Sequence, residues 1–285
     1  MRYHFYTFAL QERGKSDVNN LAVIMHIGDI ISDVGLNIVV KLLPGFIEKH
    51  KIDFVIANVE NLHEGRGVNE DMLKQLYDAG VNVATGGNHS FDKHKIFAYM
   101  SQDKNLLRPL NYPKGNPGYG YGIYDLPNNK GRIAVLNLQG RTFMYPIDCP
   151  FKTSDWIVEK LRQETKMIVV DFHADASAEK MAMGWYLNGK VSAVHGTHIH
   201  TPTADNRVLD QGTAYISDIG MTGPYDSIIG MKKEPALKRF VLGTPSKYES
   251  ATSDVHFASV IVTIDTATGK STSIKRLFFP EFDNS

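Results

Sequence analysis

Apolar runs that stop at polar or glycine-rich tails recur along this chain. Leu21 to Ile27 is a continuous β-branched and apolar run ending at Gly28-Asp29, the pattern of a strand buried on both faces. Asp53 to Ala57 repeats the pattern and ends at Asn58-Val59-Glu60-Asn61. Val81 to Ala84 is a third such run, ending at Thr85-Gly86-Gly87-Asn88-His89. Between them, Val34 to Lys49 carries helical periodicity, with Pro44-Gly45 expected to break or kink it. Glu70 to Ala79 reads as a helix capped by Asn69. This alternation predicts an α/β fold with a mostly parallel sheet covered by helices.

The middle of the chain is richer in turns. Pro113 to Gly122 holds two prolines and four glycines and reads as a loop, a candidate seam in the chain. Arg132 to Leu138, Met167 to Asp171, Val191 to Val194 and Ala214 to Ser217 read as further strands, with helices over Thr153 to Thr165 and Ala176 to Leu187. Gly220 to Tyr225 reads as a loop flexible enough to close over a site. Val255 to Thr263 and Thr272 to Phe279 predict antiparallel strands around a turn at Thr268-Gly269. Residues 1–20 are set apart as an extension without an assigned role, and 21–285 read as one continuous domain.

Composition narrows the function classes. Lys+Arg and Asp+Glu are both 31, so the chain carries no charge footprint for nucleic acid or an anionic membrane. A single cysteine, Cys149, rules out an intrachain disulfide and a cysteine-rich zinc site, and reads as structural. No run approaches the roughly 18 apolar residues of a membrane span, and the N-terminal apolar patch Phe5 to Leu10 is too short for a secretory core. A cytoplasmic location is expected.

The candidate chemistry lies where the strands end. Five strand ends carry possible metal ligands: Asp29, Glu60, Asn88, His173, and the pair His198 and His200. Segments distant in sequence converge at the carboxyl ends of strands in open α/β sheets. In extended chain His198 and His200 point to one side, and Gly196 is expected to ease a turn or the approach of a ligand. Each residue alone has an ordinary explanation: a helix cap for Asp29, a turn for Asn88, a packed core histidine for His173. Five coincident placements favour metal. A carboxylate, imidazole and amide set without thiolate suits Fe, Mn, Zn or Co, and a carboxylate such as Glu60 can bridge two ions.

Gly28-Asp29, Asn58-x-Glu60-Asn61, Gly87-Asn88-His89, Asp171-x-His173 and Gly196-Thr197-His198-x-His200 together resemble the ordered motifs of the calcineurin-like metallophosphoesterases. Leu138 to Phe143, Gly184-Trp185-Tyr186, Thr203 to Arg207 and Asp218 to Asp226 resemble the YmdB-like branch of bacterial phosphodiesterases, from about Met25 almost to the C-terminus. The resemblance implies a calcineurin-like metallophosphoesterase β-sandwich flanked by helices, holding two metal ions, iron or manganese first and zinc as an alternative. One ion would take Asp29, Glu60 and His200, with Asn61 added because Asp29-Ile30-Ile31 supplies no histidine. The other would take Glu60, Asn88, His173 and His198. A metal-bound hydroxide would attack phosphorus in line, with His89 assisting the leaving group. The implied substrate is a small phosphodiester such as a 2′,3′- or 3′,5′-cyclic nucleotide, and a homo-oligomer stays open.

Two rival readings keep the same centre: a phosphomonoesterase or nucleotidase, and a non-catalytic regulatory metal-binding protein. Arg141 is a candidate for substrate phosphate or a structural salt bridge, and Tyr225 for base stacking or packing. His195, His26, His50, His63, His94 and His256 fit no ligand pattern.

Overall fold

A computed structural model describes residues 20–247 and 249–282. The extension expected over residues 1–20 therefore lies outside the described residues, except for residue 20. In chain order the elements are β1 Leu21–Ile27, β2 Asp29–Ile30, α1 Ser32–His50, β3 Phe54–Asn58, α2 Glu70–Asp78, β4 Val83–Thr85, α3 Phe97–Met100, β5 Tyr121–Asp125, β6 Arg132–Gln139, α4 Pro150–Arg162, β7 Met167–His173, α5 Ser177–Tyr186, β8 Ala193–Thr197, β9 Arg207–Val208, β10 Ala214–Ile216, β11 Met221–Pro224, α6 Lys233–Leu242, β12 Val255–Asp265 and β13 Ser271–Phe279.

The strands form two sheets, ordered β2-β11-β12-β1-β3-β4, with β13 beside β12, and β5-β6-β7-β8-β10-β9. The second has the parallel core that strand and helix alternation predicts, over β6, β7, β8 and β10. The first is mixed, because β12 inserts antiparallel to β1 and carries β13 antiparallel on its other side.

Side-chain alternation makes this a sandwich. One parity of each strand fills the space between the sheets: Ala22 and Ile24, Phe54 and Ile56, Ile133 and Val135, Met167 and Val169, Val260 and Val262. The other parity of β1 and β3 packs with residues of α1 and α2. The outer face of β6 and β7 packs with residues of α4 and α5. The fold is a two-sheet β-sandwich with helices on both outer faces, the architecture that the resemblance implies, and its buried strands are largely apolar because both faces are covered.

Asn69 caps α2 as expected, its Oδ1 accepting from Met72 N at 2.9 Å. Two expectations change. Pro44 does not break α1, which runs from Ser32 to His50. Pro44 lies on the exposed face, where the carbonyl that loses its amide partner can turn to water. Gly220 to Tyr225 is no free loop: Met221 to Pro224 is the buried strand β11, paired with β2 and β12. The Pro113 to Gly122 stretch runs into β5, which pairs with β6 along its length. Among the described residues no helix is long and apolar enough to cross a membrane.

Because α1 tolerates Pro44 only on its solvent face, Pro44→Ala should restore a backbone donor without a clash. Urea unfolding should show a gain of about 1–3 kcal/mol, below or up to the proline penalty of a helix interior. Unchanged or lower stability would mean that a proline at position 44 is needed for packing.

Candidate active site

The inner parity of the strands turns from apolar to polar as each approaches its carboxyl end. Phe54 and Ile56 lead to Asn58, Val83 to Thr85, Ile133 and Val135 to Asn137 and Gln139, Met167 and Val169 to Asp171 and His173, and Ala193 to His195 and Thr197. The sandwich thus carries a polar cap at one end of a dry core. Its centre is Asp171, fully buried. The Asp171 carboxylate accepts from Asn58 Nδ2 at 3.1 Å, Thr85 Oγ1 at 2.5 Å and Thr197 Oγ1 at 2.7 Å, and His26 Nε2 lies 3.6 Å away. Burial works against its ionisation, but His26 and the Thr85 hydroxyl outweigh it and hold Asp171 below the usual carboxylate range.

Thr197 passes this order on to His173. Its hydroxyl proton goes to Asp171, so its oxygen is left to accept from His173 Nδ1–H at 2.9 Å. That fixes the ring with Nε2 directed into the site. His173 Nε2 meets Glu60 Oε1 at 3.1 Å, Asn88 Oδ1 at 3.1 Å and His198 Nδ1 at 3.0 Å. Three lone-pair donors converge on one ring nitrogen that can carry a single proton. Glu60, His173 and His198 all offer ligand atoms within 4.8 Å of one another.

The remaining candidates join from the other side of Glu60. Asn61 Nδ2 reaches both Glu60 Oε1 at 3.2 Å and His200 Nε2 at 3.1 Å. Asp29 Oδ1 is buried without a hydrogen-bond donor and stands 3.9 Å from both His200 Nε2 and His173 Nδ1. All seven residues singled out as ligands therefore meet in one neighbourhood, with Glu60 shared between the two halves. An orphaned buried carboxylate oxygen near two imidazoles, with the Asn88 amide oxygen at one of them and no thiolate, fits a first-row cation.

Loop geometry differs from the expectation for the two histidines. The strand ends at Thr197, and His198 and His200 both have positive φ, 105° and 64°. They share the site because the loop bends, not because an extended strand alternates. The bend is held by His198 N donating to Asp29 Oδ2 and Ile199 N donating to Asp218 Oδ2, both at 3.1 Å. Asp218 is itself paired with buried Lys180 at 2.6 Å. Gly196 serves packing rather than a ligand, since a Cβ there would overlap the Ser217 carbonyl. Gly87 is the glycine that lets a loop close on the site: a Cβ there would overlap the Glu60 carboxylate and the His173 ring.

His89 stands at the rim. Its backbone N–H donates to Glu60 Oε2 at 2.9 Å, and its Nδ1 pairs with Asp92 Oδ2 at 2.8 Å. The ring lines a cavity of about 340 Å³ with Glu60, Arg66, His198, His200 and Arg239. Asp92, Thr197 and the role of Asp171 were not singled out from sequence. Asp92 was readable three places after His89, and Asp171 and Thr197 as polar residues at inner-face positions of buried strands. Arg141 makes no salt bridge among the described residues; its guanidinium donates to Cys149 Sγ at 3.3 Å. Tyr225 packs among His256, Phe278 and Phe282 and donates to the Met221 carbonyl, so it is a packing residue. His195 is buried against His26, their Nδ1 atoms 3.1 Å apart, below the ligand cluster.

A family model described as YmdB-like protein matches residues 25–277. The chain belongs to the YmdB-like family. A Bacillus subtilis member, 2′,3′-cyclic-nucleotide 2′-phosphodiesterase, is 43% identical over 254 residues, covering 89% of this chain and 96% of that protein. The crystal structure of a novel phosphatase from Mycoplasma pneumoniae superposes with a TM-score of 0.86 at 31% identity, covering 91% of this chain and 94% of that one. A hypothetical protein from Thermus thermophilus superposes with a TM-score of 0.84 at 35% identity, covering 90% and 98%.

Electrostatics prepare this family member for a cation. Burial works against the charge on Glu60, yet the His173 charge and hydrogen bond and the His89 amide hold its pKa far below normal. Burial likewise opposes His173 protonation, but Glu60 and Asp29 prevail and raise it to about 9. Burial and His173 push His198 down to about 3. Burial lifts Asp29 to about 6, against the pull of His200 and His173.

A cation must therefore displace the His173 proton, which the metal-free protein keeps up to about pH 9. Calorimetric titration with Mn²⁺ in buffers of different ionisation enthalpy should show proton release at pH 7.5, and affinity should rise roughly tenfold per pH unit towards pH 9. His173→Ala should abolish that proton release. A proton count independent of pH and of His173 would contradict this electrostatic picture.

Proposed function

We propose that this phosphoester hydrolase is a dinuclear, metal-dependent phosphodiesterase acting on cyclic nucleotides, with 2′,3′-cyclic esters as its first substrates. The observation that carries this reading is the meeting of two donor groups at the Glu60 carboxylate, Asn88, His173 and His198 on one side and Asp29, Asn61 and His200 on the other. The preference for 2′,3′-cyclic esters rests on the activity for which the Bacillus relative is named. Iron or manganese suits the donor set best, with zinc as the alternative. Such ions supply Lewis acidity, withdrawing charge from phosphoryl oxygens and making water nucleophilic at neutral pH.

The chain's own residues do the rest. Glu60 holds the two donor groups at one spacing, which aligns the attacking and departing oxygens across phosphorus. The water oxygen forms the new P–O bond as the ester P–O bond opposite it breaks, and the proton the water gives up passes to solvent, from which His89 regains the proton it donates. His89, its Nδ1 engaged by Asp92, gives a proton from Nε2 to the departing ribose oxygen. Arg66 and Arg239 on the cavity wall add positive charge for a phosphate anion.

The Mycoplasma neighbour, named a phosphatase, favours a second reading as a phosphomonoesterase. Rates on 2′,3′-cyclic nucleotides, 3′,5′-cyclic nucleotides, nucleoside monophosphates and a bis-aryl phosphate, measured with metal analysis, decide between the two. His89→Ala should keep its metal content and lose about 10²–10⁴ in kcat, the usual effect of removing an acid catalyst. Asp92→Asn should fall between that variant and the parent. Full turnover by His89→Ala would remove His89 from the mechanism, and metal-free turnover would overturn the proposal.

A further inference from the structure

A second cavity, of about 380 Å³, opens beside the metal-ligand cluster. Asn88 and His198 line one part of it, and Phe143, Met144, Tyr145 and Pro146 line the rest. Phe143 is 87% exposed and Tyr145 79%, extreme values for large apolar rings on a folded protein. The loop bearing them is nonetheless firmly rooted. Gly140 N donates to the His173 carbonyl at 3.0 Å, and the Glu179 carboxylate of α5 accepts from the backbone N–H groups of both Arg141 and Thr142 at 3.1 Å. The Arg141 side chain ties the outgoing limb to Cys149, and Asp148 N donates to the Asn111 carbonyl at 3.1 Å. Phe143 sits at φ 62°, a left-handed conformation that costs a non-glycine residue energy. A rooted loop that holds two rings in water, next to ligands of a phosphate-binding centre, is suited to stacking rather than to core packing.

We infer that Phe143 and Tyr145 form the nucleobase subsite of this enzyme, stacking on the base while the phosphate lies at Asn88 and His198. The inference rests on the phosphodiesterase reading above and adds to it the recognition of the base. The lining offers aromatic faces and few groups able to read a base edge. Stacking of this kind tolerates all four bases and favours purines by their larger faces. It also distinguishes a nucleotide from a small phosphodiester of equal charge.

The test compares an adenosine 2′,3′-cyclic phosphate with methyl riboside 2′,3′-cyclic phosphate, which lacks a base, for the parent enzyme, Phe143→Ala, Tyr145→Ala and the double variant. The parent should prefer the nucleotide in kcat/KM. Each alanine should shrink that preference roughly 5- to 150-fold, the loss expected for one base–aromatic stack. Phe143→Tyr and Tyr145→Phe should restore it. An unchanged preference, or an equal loss on both substrates, would overturn the inference. If neither ester is cleaved, the phosphodiesterase reading fails on its own. Calorimetric binding of adenosine monophosphate to parent and double variant then still tests the stacking. A change of molecular mass in the double variant, with the preference intact, would assign the rings to self-association and likewise overturn the subsite.

Discussion

The Asp171 carboxylate is the point on which the structure turns. It is buried between the two sheets and takes hydrogen bonds from Asn58 of the first and Thr197 of the second, with Thr85 from the edge of the first. A buried carboxylate without these donors would cost several kcal/mol, so the strands that carry them must register together. Below it the interlayer is apolar and dry, and above it lies the ligand cluster. The same carboxylate sets the height at which the sandwich stops being a core and becomes a site.

From that anchor the order spreads by hydrogen bonds of fixed direction. Thr197 uses its one proton on Asp171, which dictates the tautomer of His173, which in turn presents Nε2 to Glu60, Asn88 and His198. The His198–His200 loop is bent into position by two buried carboxylates, Asp29 and Asp218. Lys180 stabilises the second of these from below. Strain in that loop and crowding of donors around Glu60 are tolerated because the sandwich beneath is rigid. A cluster of acceptors this tight is poorly satisfied by protons alone and well satisfied by cations.

Much of this was legible beforehand, and for local reasons. Strand cores such as Leu21 to Met25 and Met167 to Val170 show as unbroken apolar runs because both faces are covered. The Asn69 cap needs only a side chain of the right length three residues before an amide. Pro44 and the Gly220 to Tyr225 segment misled for the opposite reason. Proline and glycine disturb a helix or strand on average, but their effect depends on whether the position faces water or a neighbouring strand. β11 takes its place from pairing with β2 and β12, partners that no local pattern names.

The residue order alone supplies the available chemistry, namely oxygen and imidazole donors at five strand ends, with no thiolate to compete. That follows from side-chain type and from period-two alternation, both of which are written along the chain. Which donors share a space, and how each is turned, comes from long-range packing. Asn58 and Asp171 are 113 positions apart, yet one bond between them sets the register of two sheets. His198 and His200 converge through left-handed backbone, and Phe143 and Tyr145 face the same cavity as Asn88 and His198 through the path of a rooted loop. Side-chain direction there is fixed by packing and hydrogen bonds between distant segments, and so it exists only once the chain has folded.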